Sequence, residues 1–224
     1  MTTARPPAPP SLGMSVAMRL VPGVRTVHDT IGPFAAQWAA RNAEALAQPG
    51  PLWVALGDSM SQGIGARDID GGWVGQLSAD LAARGRAMRV VNLSASGARV
   101  GDVVAAQLPA LRALGIEPDL VTVLVGANDM IRRSRRPAAV GGFRALLAQL
   151  PAGRAVVATL PRGNPQARAI NALIEAAAGA GTVRVAEMRT RTAPALRGTL
   201  AEDYFHPNEN GYRAIADRFA SALP

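Results

Sequence analysis

Two patterns alternate along most of the chain. Apolar, β-branched runs occur at 52–57 (LWVALG), 88–93 (MRVVNL), 119–126 (DLVTVLVG), 154–160 (RAVVATL) and 182–188 (TVRVAEM). They lack the in–out alternation of a half-exposed strand, as strands covered on both faces do. Between them lie segments with apolar residues three and four apart, at 72–85, 100–115, 140–150 and 165–181, with a last one at 208–223. That spacing predicts helices with one buried face. Strand–helix alternation predicts a parallel sheet with helices on both sides. The expected fold is therefore α/β, a three-layer α/β/α sandwich with five parallel strands over residues 51–224. In such sheets ligands sit at the carboxyl ends of the strands, so polar residues there are the ones to test for chemistry.

The segment ahead of the first strand follows other rules. Residues 1–11 (MTTARPPAPPS) are proline-rich, and residues 1–30 are expected to be a disordered or irregular extension. From 31 to 46 apolar residues return at helical spacing, at Ile31, Phe34, Ala35, Trp38, Ala39, Ala45 and Leu46. They predict an accessory helix within 31–50 that packs on the main domain, closed by the breaker QPGP at 48–51.

Composition narrows the function classes. With 224 residues, 49% of them hydrophobic, the chain can bury one substantial core. No apolar run reaches the ~20 residues of a membrane span. The run SLGMSVAMRLVPGV is short, broken by Arg19 and charged on the wrong side for a signal peptide. A cytoplasmic monomer is the default expectation. The absence of cysteine excludes disulfides, thiolate metal sites and cysteine nucleophiles. The net charge is +8 and every basic residue is arginine, but the arginines are scattered and aromatics make up only 4%. That leaves few platforms for base stacking, so no nucleic-acid partner is expected.

Polar residues do collect at the strand ends. The first run exits into Gly57-Asp58-Ser59, the second into NLSASGAR with Gly97, and the third into Gly126-Ala127-Asn128-Asp129. Asp203 and His206 lie in DYFHPNENGY, just before the last helix, and the only other histidine, His28, has no catalytic company. Taken singly, Ser59 is a helix cap, part of a phosphate cradle or a nucleophile, Gly97 a turn residue, and Asn128 another cap. Neighbouring side chains at a strand end point apart, which gives Asp58 a loop-bonding role beside Ser59, or at most a place near the substrate. Asp129 reads as a supporting residue. The phosphate-cradle motifs are incomplete, and Gly-Asp-Ser-Met-Ser is not the Gly-x-Ser-x-Gly of α/β-hydrolases. Taken together, a serine, a histidine with an aspartate three residues earlier, and amide donors at neighbouring strand ends suit acyl transfer.

The chain resembles the SGNH (GDSL-type) hydrolase family of esterases and lipases. Gly57-Asp58-Ser59, Gly97, Gly126-Ala127-Asn128-Asp129 and Asp203-Tyr204-Phe205-His206 match four family blocks in order, and HPNENGYRAIA continues the family's C-terminal helix. GDSMSQG departs slightly from the commoner first block, and the first fifty residues have no counterpart in the minimal domain. The resemblance implies a flavodoxin-like sandwich and a serine-dependent carboxylic ester hydrolase working without metal or cofactor. It implies Ser59 as nucleophile, His206 as base and Asp203 as its orienting acid. An oxyanion hole of the Ser59 and Gly97 N–H groups and the Asn128 amide follows, glycine being suited to its place because no Cβ blocks the approach. The substrate is a small acyl, lipid or sugar ester. Transfer to an alcohol acceptor with the same residues, or a non-catalytic glycan- or lipid-binding relative, are the alternatives. Arg132 and Arg133, in MIRRSRRP just past Asn128, are either a solvated loop or a cleft edge that attracts anionic esters.

Overall fold

The computed structural model describes residues 22–161, 163–189 and 198–223. Five strands, β1 (Leu52–Gly57), β2 (Arg89–Asn92), β3 (Leu120–Leu124), β4 (Ala155–Ala158) and β5 (Val183–Ala186), form one sheet in the order β2-β1-β3-β4-β5. Every pairing is parallel. This is the flavodoxin-like order, which reverses direction between β1 and β3 and opens a crevice at their carboxyl ends.

Successive residues of β1 show how the two faces are filled. Trp53 and Ala55 join one core cluster, while Leu52, Val54 and Leu56 join the other. The first cluster is aromatic. Trp73 of α4 (Trp73–Ala83) stacks on Phe219 of α10 (Glu209–Ala222) with ring centroids 4.1 Å apart, and the Trp53 indole N–H donates to Thr122 Oγ1 at 2.8 Å. The second is aliphatic apart from Phe143 and is covered by α8 (Arg136–Leu147), α9 (Pro165–Gly179) and a composite helix. That helix runs as α5 (Val100–Asp102), a π segment (Val103–Gln107) and α6 (Leu108–Ala113). Two short helices follow strands directly, α3 (Ser59–Gln62) after β1 and α7 (Ala127–Ile131) after β3. Among the described residues no helix is long and apolar enough to cross a membrane.

The chain ahead of β1 departs from expectation in two ways. Residues 22–29, expected within the irregular extension of residues 1–30, form α1 (Pro22–Asp29). Pro22 suits a first helical turn, and Val27 enters the aromatic core. Eight residues with one buried side chain give too little periodicity to detect. Residues 1–21 of that extension lie outside the described residues. The accessory helix is present as α2 (Ile31–Ala47), but its buried line differs. Phe34 and Trp38 are buried while Ala39 and Leu46 face solvent. The line continues through Asn42, whose side chain donates to Asn92 O at 2.8 Å and accepts from Asn92 N–H at 2.7 Å. A polar residue that bonds a strand backbone hides a packing face from a hydrophobic pattern.

Candidate active site

The turn after β1 presents Ser59 at the switch point. Asp58 N-caps α3, its Oδ1 accepting the Met60 N–H at 3.0 Å. Capping is thus done by Asp58, and the Ser59 hydroxyl is free for another partner. The turn is clasped from beneath by Gln107 of the π segment, whose amide bonds both the N–H and the C=O of Gly57 at 2.8 Å each. π segments cluster at functional sites. This one brings a side chain of the composite helix onto the backbone next to the nucleophile position.

His206 reaches Ser59 from the loop before α10. The Ser59 hydroxyl lies 2.9 Å from Nε2, and Asp203 Oδ2 lies 2.5 Å from Nδ1. An ionised carboxylate only accepts, so Nδ1 carries the proton and Nε2 is left to accept from the serine O–H. Asp203 Oδ1 also accepts the Phe205 and His206 N–H groups at 3.0 Å each. Burial pushes the Asp203 carboxyl up, but these hydrogen bonds and the imidazole outweigh it and hold the pKa below its ordinary value. The profile of the GDSL-like lipase/acylhydrolase family matches residues 55–214. The chain belongs to that family. It is a hydrolase of the esterase–lipase type acting on ester substrates.

Comparison with curated proteins gives no match. Solved structures share the fold of this GDSL-like chain. The lipase Lip_vut3 from a goat rumen metagenome is 15% identical and superposes with a TM-score of 0.60, covering 77% of this chain and 97% of that one. The psychrotrophic esterase EstA from Pseudoalteromonas sp. is 19% identical, with TM-score 0.58 over 77% and 96%. Axe2-W215I, an acetyl xylan esterase from Geobacillus stearothermophilus, is 20% identical, with TM-score 0.59 over 77% and 94%.

Three amide donors of the GDSL-like chain follow the ends of neighbouring strands, the Ser59 N–H after β1, the Gly97 N–H after β2 and the Asn128 side chain after β3. No acceptor takes the Ser59 or Gly97 N–H among the described residues. The Asn128 Nδ2 uses one hydrogen on Ala98 O at 3.0 Å, which leaves the other available. Gly97 adopts φ 78°, a left-handed backbone that favours glycine, and no described residue lies within 4 Å of where a Cβ would stand. Asp129 is a supporting residue, its Oδ2 accepting Val100 N–H at 3.1 Å.

Two sequence readings need correction or extension. Asp58 is fully buried, so it lines no substrate surface. Its Oδ2 has no hydrogen-bond partner among the described residues, and burial raises its pKa to about 7. The desolvated carboxylate disfavours its charge more than the Met60 N–H supports it. Gly65 was not singled out as a site residue, although it lets the two halves meet. A Cβ there would stand 2.5 Å from Pro207 O and 2.8 Å from His206 Cβ. The small-residue run GIGA was its only signal. Arg132 and Arg133 are exposed immediately beyond α7. Among the described residues no group of three or more His, Cys, Asp or Glu is placed to hold a metal ion.

Proposed function

We propose that the chain hydrolyses carboxylic esters through a covalent acyl-enzyme on Ser59. Ser59 Oγ attacks the ester carbonyl as His206 Nε2 takes its proton, and the imidazolium returns that proton to the departing alcohol. Asp203 holds the Nδ1 tautomer and stabilises the imidazolium. The tetrahedral oxyanion is received by the Ser59 and Gly97 N–H groups and the second Asn128 amide hydrogen, each such donor contributing about 3–4 kcal/mol in the transition state. Water then repeats the sequence on the acyl group. The observation that carries this reading is the unbroken hydrogen-bonded line from Ser59 Oγ through His206 to Asp203. A lipase, an esterase and an acetyl xylan esterase among the structural relatives fit ester chemistry.

The test is active-site labelling. A p-nitrophenyl alkylphosphonate is expected to add one phosphonyl group to Ser59, located by peptide mass spectrometry, and to abolish turnover of p-nitrophenyl acetate in step with labelling. A label on another residue, or full turnover after stoichiometric labelling of Ser59, overturns the assignment.

A further inference from the structure

The three most exposed large apolar side chains among the described residues lie on two segments, the less exposed Leu46, Ile116 and Leu200 aside. Ile131 is 57% exposed, Tyr204 79% and Phe205 51%. All three sit on the segments that carry Asn128 and His206. Ile131 ends α7, three residues after Asn128, and Phe205 precedes His206 with its ring edge-on to the imidazole at 4.9 Å. Tyr204 adopts φ 55°, a left-handed backbone that a bulky residue rarely takes, in the turn whose next two N–H groups Asp203 Oδ1 accepts, and its ring stands in solvent. Burial does not account for this strain.

The segment that carries Ile131 is also cationic. Arg132 and Arg133 follow Ile131 directly, are exposed and make no ion pair among the described residues. Arg135 is half-buried beside them, and Arg136 is tied down by donating its Nε–H to Met130 O at 2.9 Å. Glu202 is the exposed acid on the opposing loop, and Asp203 is occupied by His206. A small soluble anion would account for the arginines but leave the apolar side chains in water. A neutral sugar would account for the rings but not for the charge. An anionic bilayer surface satisfies both, with arginines at the headgroups and apolar side chains at the acyl boundary.

We propose that the rim formed by Ile131, Arg132, Arg133, Tyr204 and Phe205 docks the protein on anionic phospholipid surfaces, so that its esters are drawn from, or at, that interface. The use of the docked state rests on the ester-hydrolase reading, but its test does not. Ser59→Ala protein is sedimented with phosphatidylcholine vesicles, with or without a minority of phosphatidylglycerol, at physiological salt. Binding is expected only to the mixed vesicles. Arg132→Glu with Arg133→Glu is expected to weaken it at least about thirty-fold, and Ile131→Ser with Tyr204→Ser about ten-fold. Arg84→Glu with Arg112→Glu, an equal change in net charge on exposed side chains that precede β2 and β3 at the amino edge of the sheet, is expected to change it less than about threefold. Absence of binding to mixed vesicles overturns the proposal. So does equal loss from both arginine pairs, which would mean attraction by net charge alone, and so does binding indifferent to Ile131 and Tyr204. If wild-type protein docks but leaves every ester intact, the hydrolase reading fails and the docking surface stands.

Discussion

The two halves of the site are built in opposite ways. The Ser59 turn is held from the core. Gly57 is clasped by Gln107, Asp58 caps α3 from full burial, the Ile64 N–H donates to Ser59 O at 3.0 Å, and the Trp38 indole of α2 donates to Gln62 O at 3.0 Å. The His206 loop is held mainly by itself. Ala201 N–H donates to His206 O at 2.8 Å, Asp203 accepts two N–H groups of its own turn, and the Asn208 amide donates to Gly198 O and Leu200 O. Its aromatic side chains stand in solvent. In the proposed mechanism the nucleophile and one oxyanion donor belong to one turn, where a small displacement would cost both. The base needs only its reach and tautomer, which a local aspartate can set. Rigidity therefore sits under the hydroxyl, and the chain that brings the imidazole is free to carry a docking surface.

That contrast is broken most directly at Ser59. Ser59→Ala removes one oxygen from a rigid turn that packing maintains, so the fold is expected to survive while kcat for p-nitrophenyl acetate falls by roughly 10⁴-fold or more. The unfolding midpoint and the kcat of one preparation check both halves. A residual rate within tenfold of wild type would remove Ser59 as nucleophile.

Asn128 sharpens it, because the residue belongs to neither half. It projects from α7 and holds Ala98 O with one amide hydrogen. Asn128→Ala is expected to lower kcat about a hundredfold or more, roughly 3 kcal/mol, with KM nearly unchanged, since the second hydrogen acts only on the developing oxyanion. A rise in KM at constant kcat would assign Asn128 to ground-state binding.

The same contrast explains what could be read in advance. The five strands and the four blocks are legible because β-branched runs, a serine, three glycines, an asparagine and an Asp-x-x-His are local in sequence. The supports of the Ser59 turn were not. Gln107 lies in an ordinary helical stretch, and only the π segment turns it under Gly57. Asn42 and Trp38 act through backbone partners fifty and twenty-four positions away, which no period in the chain reports. α1 was missed because Val27 is its one buried side chain. The loop bond of Asp58 is local and legible. Its depth is not, because the groups facing it, His206, Asp129 and Tyr212, come from parts of the chain far away in sequence.

Asp58 and Asp203 offer the finest test of the two regimes, because burial lifts one carboxyl and hydrogen bonds depress the other. The unfolded chain releases the Asp58 proton near its ordinary value of 3.8, while the folded protein keeps it up to about 7. Between those values the native state binds more protons, so this group makes stability fall as pH rises through the window. Asp203 works in the opposite sense: its contribution is complete above the ordinary carboxylate range and is lost only as the pH falls through its depressed value. Asp58→Asn keeps an acceptor for the Met60 N–H and carries no charge at any pH. The stability of Asp58→Asn relative to wild type is therefore expected to rise by about 1 kcal/mol between pH 6 and pH 8, or about 3 °C in Tm for a chain of this size. The groups facing Asp58 are His206, Asp129 and Tyr212. They are present in both proteins, so to first order they cancel in the difference, and coupling to His206 alters its size rather than its sign. Paired thermal melts across that range decide the matter. A difference that stays constant with pH would mean that the Asp58 carboxylate keeps its charge in the core, and the turn that holds Ser59 would then need a cation or donor to sustain it.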